Sequence, residues 1–451
     1  MTDKFQQLAD KIDAALLTGD NTAIATILAE IASAEIARLL ESLPPKERLS
    51  VWAQVAPKRC AKVLLALPQP QRRALIHHTD KAKLIAGLSQ MQMDELADID
   101  ADLPMPVVSA MVQAMDSQRR QRYELVRDYP DQSAGGLMDV DISALRADVS
   151  IKAALRYLRR LRQREGQLPE HLDSLMVVDR NNTLVGIIPL SLLVSSEMDT
   201  SISELMSTEI TSFTPEMSAS KVAQVFKDKD LLSAPVVDAE HKLIGRITVD
   251  DVIDVIQDEA DKALYSQAGL NNHPDLFAPI VRSASRRALW LGINLLTAFL
   301  AAWVIGLFEA AIEKVVALAV LMPVVASMGG VAGSQTLTMV TRGLALDQIN
   351  RNNIIKLIGH EFGIGALNAL LWASLVAFIA LKWFGDWQLG LVFGLAMVIV
   401  LITGVLAGAS IPVLLKKIGI DPALAGGVVL TTVTDVVGFF AFLGLATLFI
   451  L

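Results

Sequence analysis

Five runs of apolar residues fill the C-terminal part of this 451-residue chain: Leu289–Phe308, Val315–Thr341, Phe362–Leu381, Trp387–Leu415 and Ala423–Leu451. Each reaches the roughly 18–20 residues that a helix needs to cross a bilayer. Backbone groups in hydrocarbon must satisfy one another, so all five runs are predicted to be helices. Charges flank them unevenly. Arg282, Arg286 and Arg287 precede the first run. Arg342, Arg351 and Lys356 separate the second from the third, and Lys416 and Lys417 the fourth from the fifth. The opposite loops hold Glu309, Glu313 and Lys314, then Lys382 and Asp386. Basic loops stay inside. The long N-terminal region is therefore expected in the cytoplasm and the C-terminus outside.

Two of these runs are poor plain anchors. From Pro422 to Leu451 there is one charged residue, Asp435. A charge at mid-membrane costs on the order of 3 kcal/mol on insertion scales. No Lys or Arg lies inside any of the five runs, which argues against an intramembrane salt bridge. A carboxylate lining a cation path accounts for Asp435; a protonated Asp hydrogen-bonded to a neighbouring Thr is the plain structural alternative. The second run contains LMPVVASMGGVAGSQTLT, with Pro323, Gly329, Gly330 and Gly333 close together. Such a stretch either breaks the helix and exposes carbonyls, or lets helices pack closely. His360 and Glu361 sit near the cytoplasmic end of the third run, where an interfacial position explains them as well as a functional one does.

Charged residues are frequent up to Arg287 and rare beyond it, and the formal net charge is −8. The acidity lies largely before the membrane. It argues against a nucleic-acid partner and points to one that takes carboxylates. The lone Cys60 excludes intrachain disulfides and fits a reducing compartment. The polar start, MTDKFQQLADK, has no apolar core of a signal peptide, so none is expected. Residues 1 to about 130 read as helices, broken at LPP (43–45), LPQP (67–70) and LPMP (103–106). Leu43 to Leu67 is 24 residues and Leu67 to Leu103 is 36, both multiples of about 12, which predicts short helices stacked in an all-α solenoid. Asp94, Asp98, Asp100 and Asp102 cluster here, and the spacing of Asp94 and Asp98 puts both on one helical face. A solvated acidic face is the ordinary reading of such a cluster.

An internal repeat follows. SLMVVDRNNTLVGIIPLSLLV (174–194) aligns with SAPVVDAEHKLIGRITVDDVI (233–253), so that Ser174, Val178, Asp179 and Gly186 match Ser233, Val237, Asp238 and Gly245 at a constant shift of 59. Met138 in GGLM matches Met206 in SELM at a shift of 68, and an insertion near Arg162–Pro169 absorbs the difference. Each copy is predicted to run helix, strand, turn, strand, helix. The pattern resembles the cystathionine-β-synthase-type (CBS) repeat. That resemblance implies an α/β pair that regulates a partner domain, with an adenosine nucleotide or an ion as ligand.

The whole arrangement resembles the MgtE family of magnesium channels. It joins a helical acidic region (1–130), a first repeat (131–200), a second repeat (201–262), a plug or connecting helix (263–287) and five membrane helices (288–451). Local matches are DYPDQSAGGLM (128–138), PVVASMGGVAGSQTLTMVTRGLAL (323–346) and DPALAGGVVLTTVTDVVG (421–438). The resemblance implies a homodimer in the cell (inner) membrane with one pore on its two-fold axis. Asp435 matches the acidic filter residue, and the backbones of Gly330, Gly333 and Thr431 match the filter's surroundings. Mg²⁺ dehydrates reluctantly and uses few carboxylates, which suits a wide pore with one acid per subunit. The family usually has MGGN.GNQ in the second run. Here Val331 and Ser334 replace both asparagines, while Gly427 and Val428 replace an asparagine and a proline ahead of Asp435. Mg²⁺, Co²⁺ and Mn²⁺ all stay open as the divalent cation. Regulatory Mg²⁺ would bind Asp94 and Asp98 in the helical region and Asp230, Asp251, Asp254 and Glu259 in and after the second repeat. Two further acidic positions of the family fall on Ser220 and Lys262. Bridging of these carboxylates by internal Mg²⁺ would hold the closed state.

The main rival is an ion-coupled secondary transporter with Asp435 as its coupling site. A non-conducting ion sensor is another. An enzyme is not expected: the sequence shows no paired acid and base, no nucleophile with a plausible base and no phosphate-binding loop of P-loop type.

Overall fold

A computed structural model describes residues 2–89, 91, 93–165, 168, 172–270, 275–346, 348–350 and 352–450, without the side chains of 2, 3, 93, 94, 98, 165, 282 and 286. It divides into two compact units, Met1–Asp261 with His273–Ala278, and Lys262–Asn272 with Pro279–Leu451.

The first unit begins with ten helices: α1 (Thr2–Thr18), α2 (Asn21–Glu30), α3 (Ser33–Ser42), α4 (Pro45–Ala53), α5 (Pro57–Leu65), α6 (Gln69–His77), α7 (Lys81–Leu88), α8 (Met93–Asp100), α9 (Met105–Ala114) and α10 (Ser117–Arg127). From α2 onward they start at 21, 33, 45, 57, 69, 81, 93, 105 and 117, so the step is 12 residues throughout. The sequence explains the step. A buried apolar residue closes most of the turns (Leu43, Val55, Leu67, Met91 and Leu103). Prolines occupy the first turn of α4, α5, α6 and α9, where no backbone N–H is needed. Alternate helices stack, α3 on α5, α5 on α7, α7 on α9 and α8 on α10, and this buries the solenoid core. Part of the acidic cluster is structural. Asp102 lies between Arg72 (2.6 Å) and Arg73 (2.5 Å), and Asp100 pairs with Arg127 (2.8 Å).

The repeats follow as α11 (Ala134–Leu137), β1 (Ala144–Arg146), α12 (Ile151–Glu165), β2 (Ser174–Val178), β3 (Leu184–Pro189), α13 (Leu190–Ser195), α14 (Ile202–Leu205), α15 (Ala219–Lys229), β4 (Ser233–Val237), β5 (Leu243–Thr248) and α16 (Val249–Gln267). The two hairpins share one register. Ser174 pairs with Pro189 and Ser233 with Thr248, and both ladders shift after Val177 or Val236. Both turns are built alike: Asp179 and Asp238 each accept two backbone N–H bonds, and Asn182 and His241 both take positive φ. Across the pseudo-two-fold axis Ser174 Oγ meets Ser233 Oγ at 3.2 Å.

The leading segments are exchanged between copies. Met138 packs on Gly245 of the second hairpin and Met206 on Gly186 of the first. Asp139 exchanges backbone hydrogen bonds with Arg246, and Ser207 with Ile187. A cut at 200/201 therefore separates two segments from the hairpins they complete. The connecting segment also differs from expectation. Helix α16 runs through residue 262 without a break and ends at Gln267, so residues 263–287 are not one helix.

The second unit holds α17 (Ile280–Gly306), the short α18 (Glu309–Lys314), α19 (Ala317–Ala345), α20 (Ile354–Phe384), α21 (Trp387–Lys417) and α22 (Pro422–Phe449). All but α18 are long and apolar enough to cross a membrane. Helix α21 is the axis of the unit: 61% of its most apolar stretch is buried, against 11% for α17. Pro323 does not break α19, which is continuous. Gly329 and Gly333 serve close packing instead. A Cβ on Gly404 of α21 would lie 2.5 Å from the Gly329 carbonyl, and one on Gly333 would lie 2.8 Å from the Gly404 carbonyl.

Candidate ion path and acidic regulatory site

Helices α19 and α22 pack in opposite directions, with Val325 beside Gly438, Gly329 beside Thr434, Gly333 beside Leu430 and Leu337 beside Gly426. This ladder sets Asp435 level with Gly329 and Gly330. On α22 the buried stripe is Gly426, Leu430, Thr434 and Gly438. Next to it Gly427 and Thr431 are exposed and Asp435 is half-buried. On α19 a side chain at Gly330 would meet open space, and Val331, Ser334 and Gln335 are exposed. The chain thus presents polar groups on an open face of helices that are otherwise made for lipid.

The plain structural alternative for Asp435 fails here. The hydroxyls of Thr431, Thr432 and Thr434 donate to the carbonyls of Gly427, Val428 and Thr431 at 3.0, 2.8 and 3.0 Å. Among the described residues none bonds to the Asp435 carboxylate, and no basic side chain reaches it. Gly333 differs from its expected place. It is buried, it packs on Leu430, and its carbonyl abuts Gly408 of α21, so it holds helices together. Glu361 is 3% exposed and accepts a bond from Thr336 Oγ1 (3.0 Å), while His360 beside it is exposed.

Of the acidic positions of the first unit, Asp251, Asp254 and Glu259 lie on α16. Thr248 donates to Asp251 Oδ2 through its N–H (3.4 Å) and its hydroxyl (3.0 Å), and the hydroxyl also bonds Asp250. Asp251 therefore helps to cap the start of α16. Burial pushes its carboxyl up to about 6, and the neighbouring charge of Asp250 adds to this. Asp254 is also raised, by partial desolvation and then by Asp258 and Asp250. Glu259 takes a hydrogen bond from Ser220, at a position where the family has an acid. Asp230 is exposed and ends α15 in the left-handed region (φ 51°), which Asp tolerates better than most residues. Asp94 and Asp98 stand in α8, and their side chains lie outside the described residues. Among the described residues no group of three or more His, Cys, Asp or Glu side chains is placed to hold a metal ion. The described ones among the expected regulatory carboxylates do not form such a group.

Comparison with known proteins matches this geometry at three places. The family model described as a divalent cation transporter matches residues 322–445, that of the MgtE intracellular N domain matches 31–132, and that of the CBS domain matches 202–258. The magnesium transporter MgtE of Enterococcus faecalis is 30% identical over 321 residues, 71% of this chain and 70% of that protein. The chain belongs to the MgtE family. Further MgtE relatives extend the match end to end. The magnesium transporter of Bacillus subtilis is 27% identical over 99% of this chain and 98% of its own length. That of Thermus thermophilus is 29% identical over 98% of each. Among solved structures, the cytosolic domain of the Mg²⁺ channel MgtE in complex with ATP aligns with a TM-score of 0.50 at 28% identity. It covers 55% of this chain and 99% of that one. MgtE proteins are transporters and not enzymes. Sequence reasoning missed Thr248, Ser220 and Thr336, whose partners lie on other turns or other helices. Only Ser220 carried a signal, as a departure at an acidic position of the family.

Proposed function

We propose that the chain is a divalent-cation channel, with Mg²⁺ as its ion, that works as a homodimer in the inner membrane with its first unit in the cytoplasm. The observation that carries this reading is Asp435: a carboxylate without a partner among the described residues, level with Gly330, on an open polar face of α19 and α22. A lone protomer in lipid would leave that face unsatisfied. A second copy related by a two-fold axis would enclose it and set two carboxylates across one water-filled path. Two acids and backbone oxygens suit an ion that keeps most of its water. Gly330 and Thr431 line the same face.

Internal Mg²⁺ closes the path through Asp251, Asp254 and Glu259, with Asp94, Asp98 and Asp230 contributing from neighbouring elements. Carboxylates are the donors that a hard cation takes, and Asp251 and Asp254 are raised first by burial and then by neighbouring negative charge, the part that a cation would relieve. Such an ion would bridge elements, since no described cluster is complete by itself. The repeat pair also takes an adenosine nucleotide in this reading, as the ATP complex of the MgtE cytosolic domain suggests.

The test is uptake into proteoliposomes of wild type, Asp435→Ala and Asp435→Asn with Mg²⁺, Mn²⁺, Co²⁺ and Ca²⁺. Loss of uptake in both variants is expected. Flux that follows an imposed proton gradient would replace the channel with a coupled transporter.

A further inference from the structure

Arg48 in α4 is 2% exposed, a rare place for a guanidinium. Its own domain holds it there. Nε donates to the Leu40 carbonyl at 2.8 Å and Nη2 to the Leu43 carbonyl at 3.0 Å. These carbonyls end α3, so the cation sits at the negative end of that helix. The remaining N–H groups meet a carboxylate 227 positions along the chain: Nη1 bonds Asp275 Oδ2 at 2.9 Å and Nη2 bonds Asp275 Oδ1 at 3.0 Å. This is a bidentate pair, and the two side chains are only 3% and 11% exposed. Gln71 of α6, itself buried, stands close enough to the same carboxylate to favour its charged form. Asp275 also shapes its own segment. Its Oδ1 accepts from the Phe277 N–H (3.0 Å), and its carbonyl accepts from the Ala278 N–H (3.1 Å).

The segment 275–278 thus belongs to the first unit and lies between the end of α16 at Gln267 and the start of α17 at Ile280. Ile280 lies five positions after Asp275, a span of at most about 17 Å. The path along the chain from this docked segment to the start of the first membrane helix is therefore short and passes through neither α16 nor the repeats.

We propose that Arg48 and Gln71 form a docking site for segment 275–278, a second tether through which the helical domain restrains α17 and helps to close the path. The regulatory half of this proposal rests on the function proposed above; the docking half does not.

The experiment uses the full-length protein in nanodiscs and proteoliposomes, as wild type, Asp275→Asn, Asp275→Ala and Asp275→Glu. Amide hydrogen exchange of the peptide over 275–280 is expected to speed up at least tenfold in the Asn and Ala variants and less in Glu. Peptides from α1 to α10 keep their wild-type rates, which separates release of the segment from unfolding. Mg²⁺ uptake at low internal Mg²⁺ is expected to stay at the wild-type level, while the internal Mg²⁺ that halves it rises about tenfold. Unchanged exchange over 275–280 would overturn the docking site. A released segment with unchanged inhibition would overturn the tether. Wild-type uptake indifferent to internal Mg²⁺ would remove the gating reading and the tether's regulatory role together, while the exchange rates would still decide the contact.

Discussion

The two acidic regions of this molecule use carboxylates in opposite ways. Asp435 stands alone on a membrane helix, without a hydrogen-bond partner among the described residues. Around the start of α16, Asp250, Asp251, Asp254 and Asp258 crowd one another, and Asp251 is further tied to Thr248. A lone charge beside open space attracts a cation with nothing local to compete. A crowd stores repulsion that a cation relieves, and part of it is already spent on holding a helix end. One arrangement suits passage and the other suits sensing, although the side-chain chemistry is the same.

The sharpest break of this comparison is at Asp435. Removing its charge forfeits on the order of 3 kcal/mol of ion stabilisation, so Asp435→Ala should lower divalent uptake about 100-fold in proteoliposomes. Wild-type uptake would show that the lone acid is structural. Next comes the crowd. Neutralising Asp251, Asp254 and Glu259 together should leave uptake intact but raise the inhibiting internal Mg²⁺ roughly 5- to 150-fold, the usual range of coupling between sites. A triple variant that inhibits like wild type would move the sensor elsewhere.

The glycines near Asp435 sharpen the contrast between open and packed faces. Gly408→Val would overpack against the Gly333 carbonyl and should cost about 1–3 kcal/mol of stability in detergent melts, whereas Gly330→Ala meets open space and should melt near wild type. Equal losses would mean that Gly330 is also covered. The smallest effect concerns Asp251. Its folded value, about 6, lies above its unfolded value near 3.8. The stability it contributes is therefore complete below the unfolded value and is lost as pH rises through about 6. Without divalent cations, Asp251→Asn should gain melting temperature relative to wild type at pH 7.5 but not at pH 4. A gain equal at both pH values would assign the effect to the helix cap and not to charge.

Much of this was legible in the sequence because it is local. Prolines after Leu43, Leu67 and Leu103 gave the 12-residue step, although the full series appeared only when helices without prolines, such as α7 and α8, fell into it. The shared VVD turns and the glycines at Gly186 and Gly245 gave the repeat. They could not show that Met138 and Met206 cross to the other copy's hairpin, because each exchange joins residues that no spacing relates. Asp435 was visible as a lone charge. The glycine-rich stretch around Gly333 admitted both a broken helix and close packing, and the neighbouring α21 decided for packing.

Length, hydropathy and period determined by themselves that this chain has a stacked helical region, a doubled α/β module and five membrane helices. They act within a few turns of chain, where burying an apolar face or placing a proline has one good solution. Tertiary structure alone decided which glycine packs and which stays open, which acids are neutralised by arginines, and that Arg48 meets Asp275. Those outcomes depend on which surfaces approach across hundreds of residues, and a buried charge or an open polar face acquires its meaning only from what stands opposite.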